Sequence, residues 1–147
     1  MKITDADETM LLRILEIERA CFSDPWTLPI LQSQLAHVFI AALEGETVVG
    51  YAGLTHVLDE GSVTNVAVAP EWRRQGVADA LLLELERRAR TPRLKLAFLT
   101  LEVRSGNAPA IALYEKHGYK VVGRRKNYYE KPVEDALLMT LELETET

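Results

Sequence analysis

Two stretches of this chain hold residues whose types and spacing could do chemistry. The first is Val66-Ala67-Val68-Ala69-Pro70-Glu71-Trp72-Arg73-Arg74-Gln75-Gly76-Val77-Ala78-Asp79. A β-rich run passes through a short turn into a helix whose start carries two arginines and a glycine. The first N–H groups of a helix have no internal partner and, with the helix dipole, attract anions. Gly76 lets a diphosphate approach backbone that a Cβ would obstruct, and small Ala78 extends the clearance. The spacing fits equally an ordinary helix start with a solvated arginine pair. GxxxxGK and GxGxxG are both absent, so this is neither a Walker loop nor a dinucleotide fingerprint. The second stretch groups Glu102, Asn107 and Tyr114. A carboxylate and a phenol near one crevice could take a proton from an amine and give one to a leaving group. A surface carboxylate and a half-buried packing tyrosine would show the same pattern.

Other nucleophiles and metal ligands are scarce. Cys21 is the single cysteine, which excludes an internal disulfide framework and a zinc cluster. It lies on the apolar stripe of a predicted helix with no evident base, so an acyl-cysteine route is disfavoured. His37, His56 and His117 lack ligand spacing, and no metal site is expected.

The elements that must position these residues follow from hydrophobic periodicity. Asp5 and Glu8 resemble a capping box ahead of a helix marked by Met10, Leu11, Ile14, Leu15, Ile17 and Cys21. Asp24-Pro25-Trp26-Thr27 reads as a turn, with Thr27 capping a short helix that ends near His37. Strands are expected at Val38–Leu43, Val48–Val57 and Val63–Ala69, joined by polar turns as a meander. Val77, Ala78, Leu81, Leu82, Leu85 and Ala89 mark an amphipathic helix with Glu84–Arg88 and Glu86–Arg90 pairs on its outer face. Leu94 to Val103 reads as a strand that turns Leu99, Leu101 and Val103 one way and Thr100, Glu102 and Arg104 the other. Asn107 and Pro109 open a helix that Gly118 closes, and strands Tyr119–Arg124 and Ala136–Leu143 follow. The expected architecture is an α+β mixed sheet with helices on both faces, in a single domain over residues 1–147.

Composition narrows the function classes. The chain has 147 residues, 48% hydrophobic and 27% charged, which is ordinary globular usage. Its formal net charge is −5, a poor match to general nucleic-acid binding. The charge is uneven: 3 basic and 11 acidic residues in 1–72, 14 basic and 11 acidic in 73–147. An anionic ligand suits the second half and a cationic partner the first. No apolar run approaches the roughly 20 residues of a membrane span. MKITDADETM lacks the apolar core of a signal peptide, and a cytoplasmic location is expected.

Arg73-Arg74-Gln75-Gly76-Val77-Ala78 resembles the acyl-CoA pyrophosphate motif of GNAT N-acetyltransferases, Arg/Gln-x-x-Gly-x-Gly/Ala. Leu101-Glu102-Val103-Arg104-Ser105-Gly106-Asn107-Ala108-Pro109-Ala110-Ile111-Ala112-Leu113-Tyr114 resembles a stretch of one branch, the RimI-type ribosomal-protein-alanine N-acetyltransferases. Phe22-Ser23-Asp24-Pro25-Trp26-Thr27 and Arg124-Arg125-Lys126-Asn127-Tyr128-Tyr129, with Glu134-Asp135-Ala136 after it, extend the likeness along nearly the whole chain. Two features depart from it: Glu130 stands where proline is common, and the segment 130–134 is short.

The resemblance implies a GNAT fold, a mixed, mostly antiparallel sheet splayed to admit the pantetheine. It implies acetyl-CoA as co-substrate, with Val66, Ala67 and Val68 pairing through their backbone with the pantetheine and acetyl group. Arg73, Arg74, Gln75, Gly76, Val77, Ala78 and Asp79 would hold the pyrophosphate, and Asn107 would touch the cofactor. Glu102 matches the general base and Tyr114 the general acid, while Trp26, Tyr128 and Tyr129 are expected along the peptide groove. The implied substrate is a protein N-terminus, specifically alanine of a small-subunit ribosomal protein, with no direct nucleic-acid or membrane partner. The alternatives are acetylation of lysine or small amines, or acyl-CoA binding without catalysis.

Overall fold

Alternating apolar runs and polar turns build the sheet, and the switch to a 3.6-residue period builds the helices between its strands. A computed structural model of the chain describes residues 1–143. The last four residues of the expected 1–147 span lie outside the described residues. The strands are β1 (Lys2–Asp5), β2 (Val38–Glu44), β3 (Thr47–Val57), β4 (Glu60–Val68), β5 (Phe98–Arg104), β6 (Lys120–Glu130) and β7 (Val133–Glu142). The helices are α1 (Leu11–Cys21), α2 (Leu28–Gln34), α3 (Val77–Ala89) and α4 (Ala108–Lys116). Strands hydrogen-bond in the order β1-β2-β3-β4-β5-β7-β6. Pairs β1–β2, β2–β3, β5–β7 and β6–β7 are antiparallel, and β4–β5 is parallel. The sheet is therefore mixed and mostly antiparallel, as expected. The parallel ladder joins Glu60↔Phe98 through Ser62↔Thr100, while the strands themselves run on to Val68 and Arg104.

The residues form two compact units, one of Met1–Thr55 with Val63–Arg88, the other of His56–Ser62 with the chain from Ala89 onward. In the first, the α1 stripe of Leu11, Ile14, Leu15 and Ile17 packs with Leu31 of α2, Phe39 and Ala41 of β2, and Tyr51 of β3. Each fully buried side chain of this size contributes roughly 1.5–3 kcal/mol. Helix α3 covers the opposite face, because neighbouring strand residues point to opposite sides. An ideal Cβ on Gly50 would lie 2.9 Å from the Ala67 carbonyl oxygen, 3.0 Å from Val77 and 3.2 Å from Leu81. Only glycine lets α3 settle that close.

In the second unit, Leu99, Leu101 and Val103 of β5 are buried, and Glu102 on the alternate face stands opposite Leu138 of β7. Asn107 caps α4 as expected, its Oδ1 accepting from the Ala110 N–H at 3.3 Å. Gly118, at φ +96°, ends the helix, and Tyr119 is buried beside Tyr114. Strand β6 is last in the sheet order and exposed along most of its length, with Lys120, Arg124, Arg125 and Lys126 upon it.

Several elements differ from the sequence-based expectation. The capping box at Asp5 does not form, because Asp5 is taken into β1 opposite Ile40. Asp7 caps instead, accepting from the Thr9 N–H at 2.9 Å, at the start of a short 3-10 turn. Strand β4 begins at Glu60 rather than Val63. Strand β5 begins at Phe98 rather than Leu94, since the N–H groups of Leu94 and Lys95 close turns on the Thr91 carbonyl and Lys95 sits at φ +45°. The last hairpin is longer, reaching Glu130 before its turn and resuming at Val133. Glu86 is 5% exposed, not on the outer face. Glu84 instead serves both neighbours, Arg87 at 2.6 Å and Arg88 at 3.6 Å.

Candidate active site

In the first unit the expected acyl-donor residues lie on one continuous stretch. Val66, Ala67 and Val68 end β4, and the Ala69 N–H donates to the Val49 carbonyl at 2.8 Å. A 3-10 turn over Pro70–Trp72 follows, and Arg73 continues in extended conformation. Arg74 then takes φ +62° and Gly76 φ +80°, immediately before α3 starts at Val77. A left-handed arginine costs roughly 1–3 kcal/mol, and such strain collects at ligand clamps. Turns of this kind ahead of a helix present successive N–H groups as anion-binding concavities. A Cβ placed on Gly76 meets no protein atom within 4 Å, so the space before it is open. Arg73, Arg74 and Gln75 are exposed beside it. Exposed cations, a helix start and an unobstructed backbone fit a diphosphate.

Cys21 stands next to this stretch. Its thiol donates to the Val68 carbonyl at 3.3 Å, and an Arg73 guanidinium nitrogen lies 3.5 Å from the sulfur. Trp26 is half-buried and packs against the first unit's core. Part of the indole covers that core, and the rest stays accessible.

The second unit holds Glu102, Tyr114, Tyr128 and Tyr129, while Trp26 belongs to the first. The Tyr128 hydroxyl donates to Glu102 Oε2 at 3.4 Å, and Arg125 Nε lies 3.6 Å from Oε1. Tyr128 and Tyr129 meet edge to face with centroids 5.1 Å apart. Burial, then the charges of Tyr128 and Glu102, push the Tyr129 phenol up to about 12. Burial, then Tyr129, push the Tyr114 phenol up to about 12 as well. Tyr114 also packs edge-on against Tyr119, centroids 5.7 Å apart. A carboxylate and a phenol that stays protonated at neutral pH are the two members an acid–base pair needs. Asn107 is exposed, with its side-chain oxygen engaged as the α4 cap.

Sequence reasoning overlooked the residues that frame this cluster. The Arg104 guanidinium covers the Tyr129 ring at 4.3 Å and pairs with Glu134 at 3.1 Å. It also donates to the Pro132 and Lys131 carbonyls, at 2.9 and 3.1 Å. Glu134 Oε2 in turn accepts from the Gly106 N–H at 2.7 Å. The short segment between β6 and β7 is thus tied to the end of β5. The available signal was alternation, which places Arg104 on the face of Glu102.

Among the described residues no group of three His, Cys, Asp or Glu is arranged to hold a metal ion, and no helix is long and apolar enough to cross a membrane. Residues 11–119 match the acetyltransferase (GNAT) family. The chain is 35% identical over 147 residues to the ribosomal protein bS18-alanine N-acetyltransferase of Escherichia coli (strain K12), covering 95% of each chain. It superposes on the crystal structure of the ribosomal-protein-S18-alanine N-acetyltransferase from Escherichia coli with a TM-score of 0.90 and 32% identity, over 99% of this chain and 96% of that one. Arabidopsis thaliana NAA60, solved in complex with acetyl-CoA, shares the fold at a TM-score of 0.86 and 19% identity, over 97% of this chain and 99% of that one.

Proposed function

The chain belongs to the acetyltransferase (GNAT) family and is an N-acetyltransferase; we propose that it acetylates the α-amine of a protein N-terminus, specifically the N-terminal alanine of a small-subunit ribosomal protein, in the cytoplasm. Acetyl-CoA supplies an activated acetyl thioester. Residues Arg73, Arg74, Gln75, Gly76, Val77, Ala78 and Asp79 hold its diphosphate, and the backbone of Val66, Ala67 and Val68 pairs with the pantetheine arm. Asn107 adds a cofactor contact. Glu102 takes the proton from the incoming ammonium, directly or through water, and the neutral amine attacks the thioester carbon. The Val68 N–H polarises the carbonyl, and Tyr114 protonates the departing thiolate. Trp26, Tyr128 and Tyr129 line the peptide groove, and the chain works as one domain over 1–147.

The observation that carries this reading is the Glu102 cluster, with the carboxylate beside Tyr128 and with Tyr114 pushed up to about 12. Proton arithmetic favours a chain terminus. An α-amine with pKa about 7.7–8.0 is roughly one-tenth neutral at pH 7, against roughly one in 2,500 for lysine at about 10.4. A single carboxylate base therefore starts far ahead on an α-amine. The acidic first half of the chain, 3 basic against 11 acidic residues, would attract basic residues just behind the terminus.

Mass spectrometry of peptides incubated with acetyl-CoA tests the reading. A peptide beginning Ala and followed by basic residues should gain one acetyl group at its terminus. The same peptide blocked at its terminus but carrying lysine should gain little. Equal rates on both at neutral pH would remove the N-terminal assignment and leave amine acetylation. Acetyl-CoA binding without any product would mark a non-catalytic acyl-CoA-binding protein.

A further inference from the structure

Glu18 lies in the last turns of α1, on its apolar stripe, and is 2% exposed. Three donors converge on it. Oε1 accepts from the Tyr51 phenol of β3 and, at 2.8 Å, from Asn65 Nδ2 of β4. Oε2 accepts from the Trp26 backbone N–H at 2.8 Å. A carboxylate only accepts, and its two oxygens can serve all three donors. Burial and the Glu18 charge push the Tyr51 phenol far above its ordinary value, so it stays a donor. A carboxylate buried in a core is costly unless it is paired in this way. The proposed acid–base scheme makes no use of it.

Its two oxygens serve different parts of the chain. Oε1 bonds side chains on β3 and β4, whose backbones the sheet already fixes. Oε2 bonds the far end of the turn between α1 and α2, just before the α2 cap, where no strand pairing holds the chain and the Thr27 side chain caps nothing. The Glu18 carbonyl also accepts from the Phe22 N–H at 3.0 Å, where the turn begins. Glu18 therefore fastens the turn at its start through the main chain and near its end through the carboxylate. Trp26, expected along the peptide groove, rides on that turn.

We propose that Glu18 is a positioning residue for the acceptor peptide, holding the Trp26 turn in its binding shape while leaving the acetyl-CoA cradle unaffected. The proposal rests on the N-terminal acetylation reading above. Glutamine at this position keeps the shape but replaces one acceptor with an NH2 donor. With Tyr51 and Asn65 claiming the remaining oxygen, that NH2 faces the Trp26 N–H, donor against donor, and the turn loosens.

The test compares wild type with Glu18→Gln by amide hydrogen exchange and by steady-state kinetics on an Ala-initiated basic peptide. The Trp26 amide should lose at least tenfold protection while β3 and β4 amides keep theirs. The peptide KM should rise about tenfold, with kcat and the acetyl-CoA KM within twofold of wild type. Tyr51→Phe keeps the carboxylate and removes one Oε1 donor, so its peptide KM should rise two- to threefold. It carries the test if Glu18→Gln does not fold. Unchanged Trp26 exchange, an unchanged peptide KM despite lost protection, or an equal loss of acetyl-CoA affinity would each overturn the proposal. If wild type acetylates no Ala-initiated peptide, the parent reading fails by itself. The Trp26 amide then still decides for or against Glu18, lost protection supporting the role and retained protection overturning it.

Discussion

The environment of Tyr114 suits the acid role proposed for it. Its phenol is pushed up to about 12, first by burial and then by Tyr129. The sign follows directly: a phenol with a raised pKa remains protonated through neutral and mildly alkaline pH, and ceases to be an acid only near pH 12. The rate should therefore climb as the substrate amine, at about 7.7–8.0, loses its proton, and should hold a plateau to about pH 10. Tyr114→Phe should lower that plateau by roughly 10²–10⁴-fold without moving the climb. A fall centred between about pH 8 and 10 that Tyr114→Phe abolishes would contradict the assignment. Residue identity alone left Glu102 and Tyr114 level with a surface carboxylate and a packing tyrosine, and the family resemblance nominated them. Neither singled out Glu18. One charge on the stripe of Leu11, Ile14, Leu15 and Cys21 looks like an interruption until three donors, two of them more than thirty residues away, are seen to meet it.

Elements were legible where periodicity and punctuation agreed. Helix α3 spans Val77–Ala89, bounded by the turn glycine and the break before Pro92, and Asn107 with Pro109 marks the start of α4. Strand β1 was hidden because four mixed residues carry no alternation of their own; pairing with Ala41, Ala42 and Leu43 of β2 makes them a strand. The far end of β6 was hidden because Arg125 to Asn127 carry no apolar alternation, and its ladder is irregular between Arg125 and Tyr129. Gly50 of β3 lies against Ala67, Val77 and Leu81. Gly50→Ala places a Cβ 2.9 Å from the Ala67 carbonyl and 3.0 Å from Val77, so β3 and α3 must move apart. Chemical denaturation should show a loss of about 1–3 kcal/mol, the usual range for overpacking. Gly123→Ala, whose Cβ would find its nearest neighbour at 3.8 Å, should stay within about 0.5 kcal/mol. Equal costs at both positions would mean that the approach of α3 does not set the requirement at Gly50.

At the scale of the whole molecule, composition set expectations about membrane and nucleic-acid partners, but the strand order β1-β2-β3-β4-β5-β7-β6 was out of its reach. That order depends on pairings between segments far apart in the chain, which no local pattern encodes. It also decides which strands end the sheet, and so where one copy of the chain could add itself to another. Strand β1 offers only the four residues Lys2–Asp5. Strand β6 offers eleven, with apolar Val121 and Val122 at 50% and 61% exposure. A long, exposed apolar edge is a template for intermolecular β-pairing, and positive charge upon it makes each added chain repel the last. Lys120, Arg124, Arg125 and Lys126 supply that charge on β6. Arg124→Thr with Lys126→Thr should leave the fold intact but make light scattering rise with concentration, first in warmed samples, and added salt should raise wild-type scattering in the same way. Scattering no higher than wild type would show the edge to be protected by other means. A rise would give the charges of β6 a task that precedes any substrate, that of holding a crowded population of these chains apart.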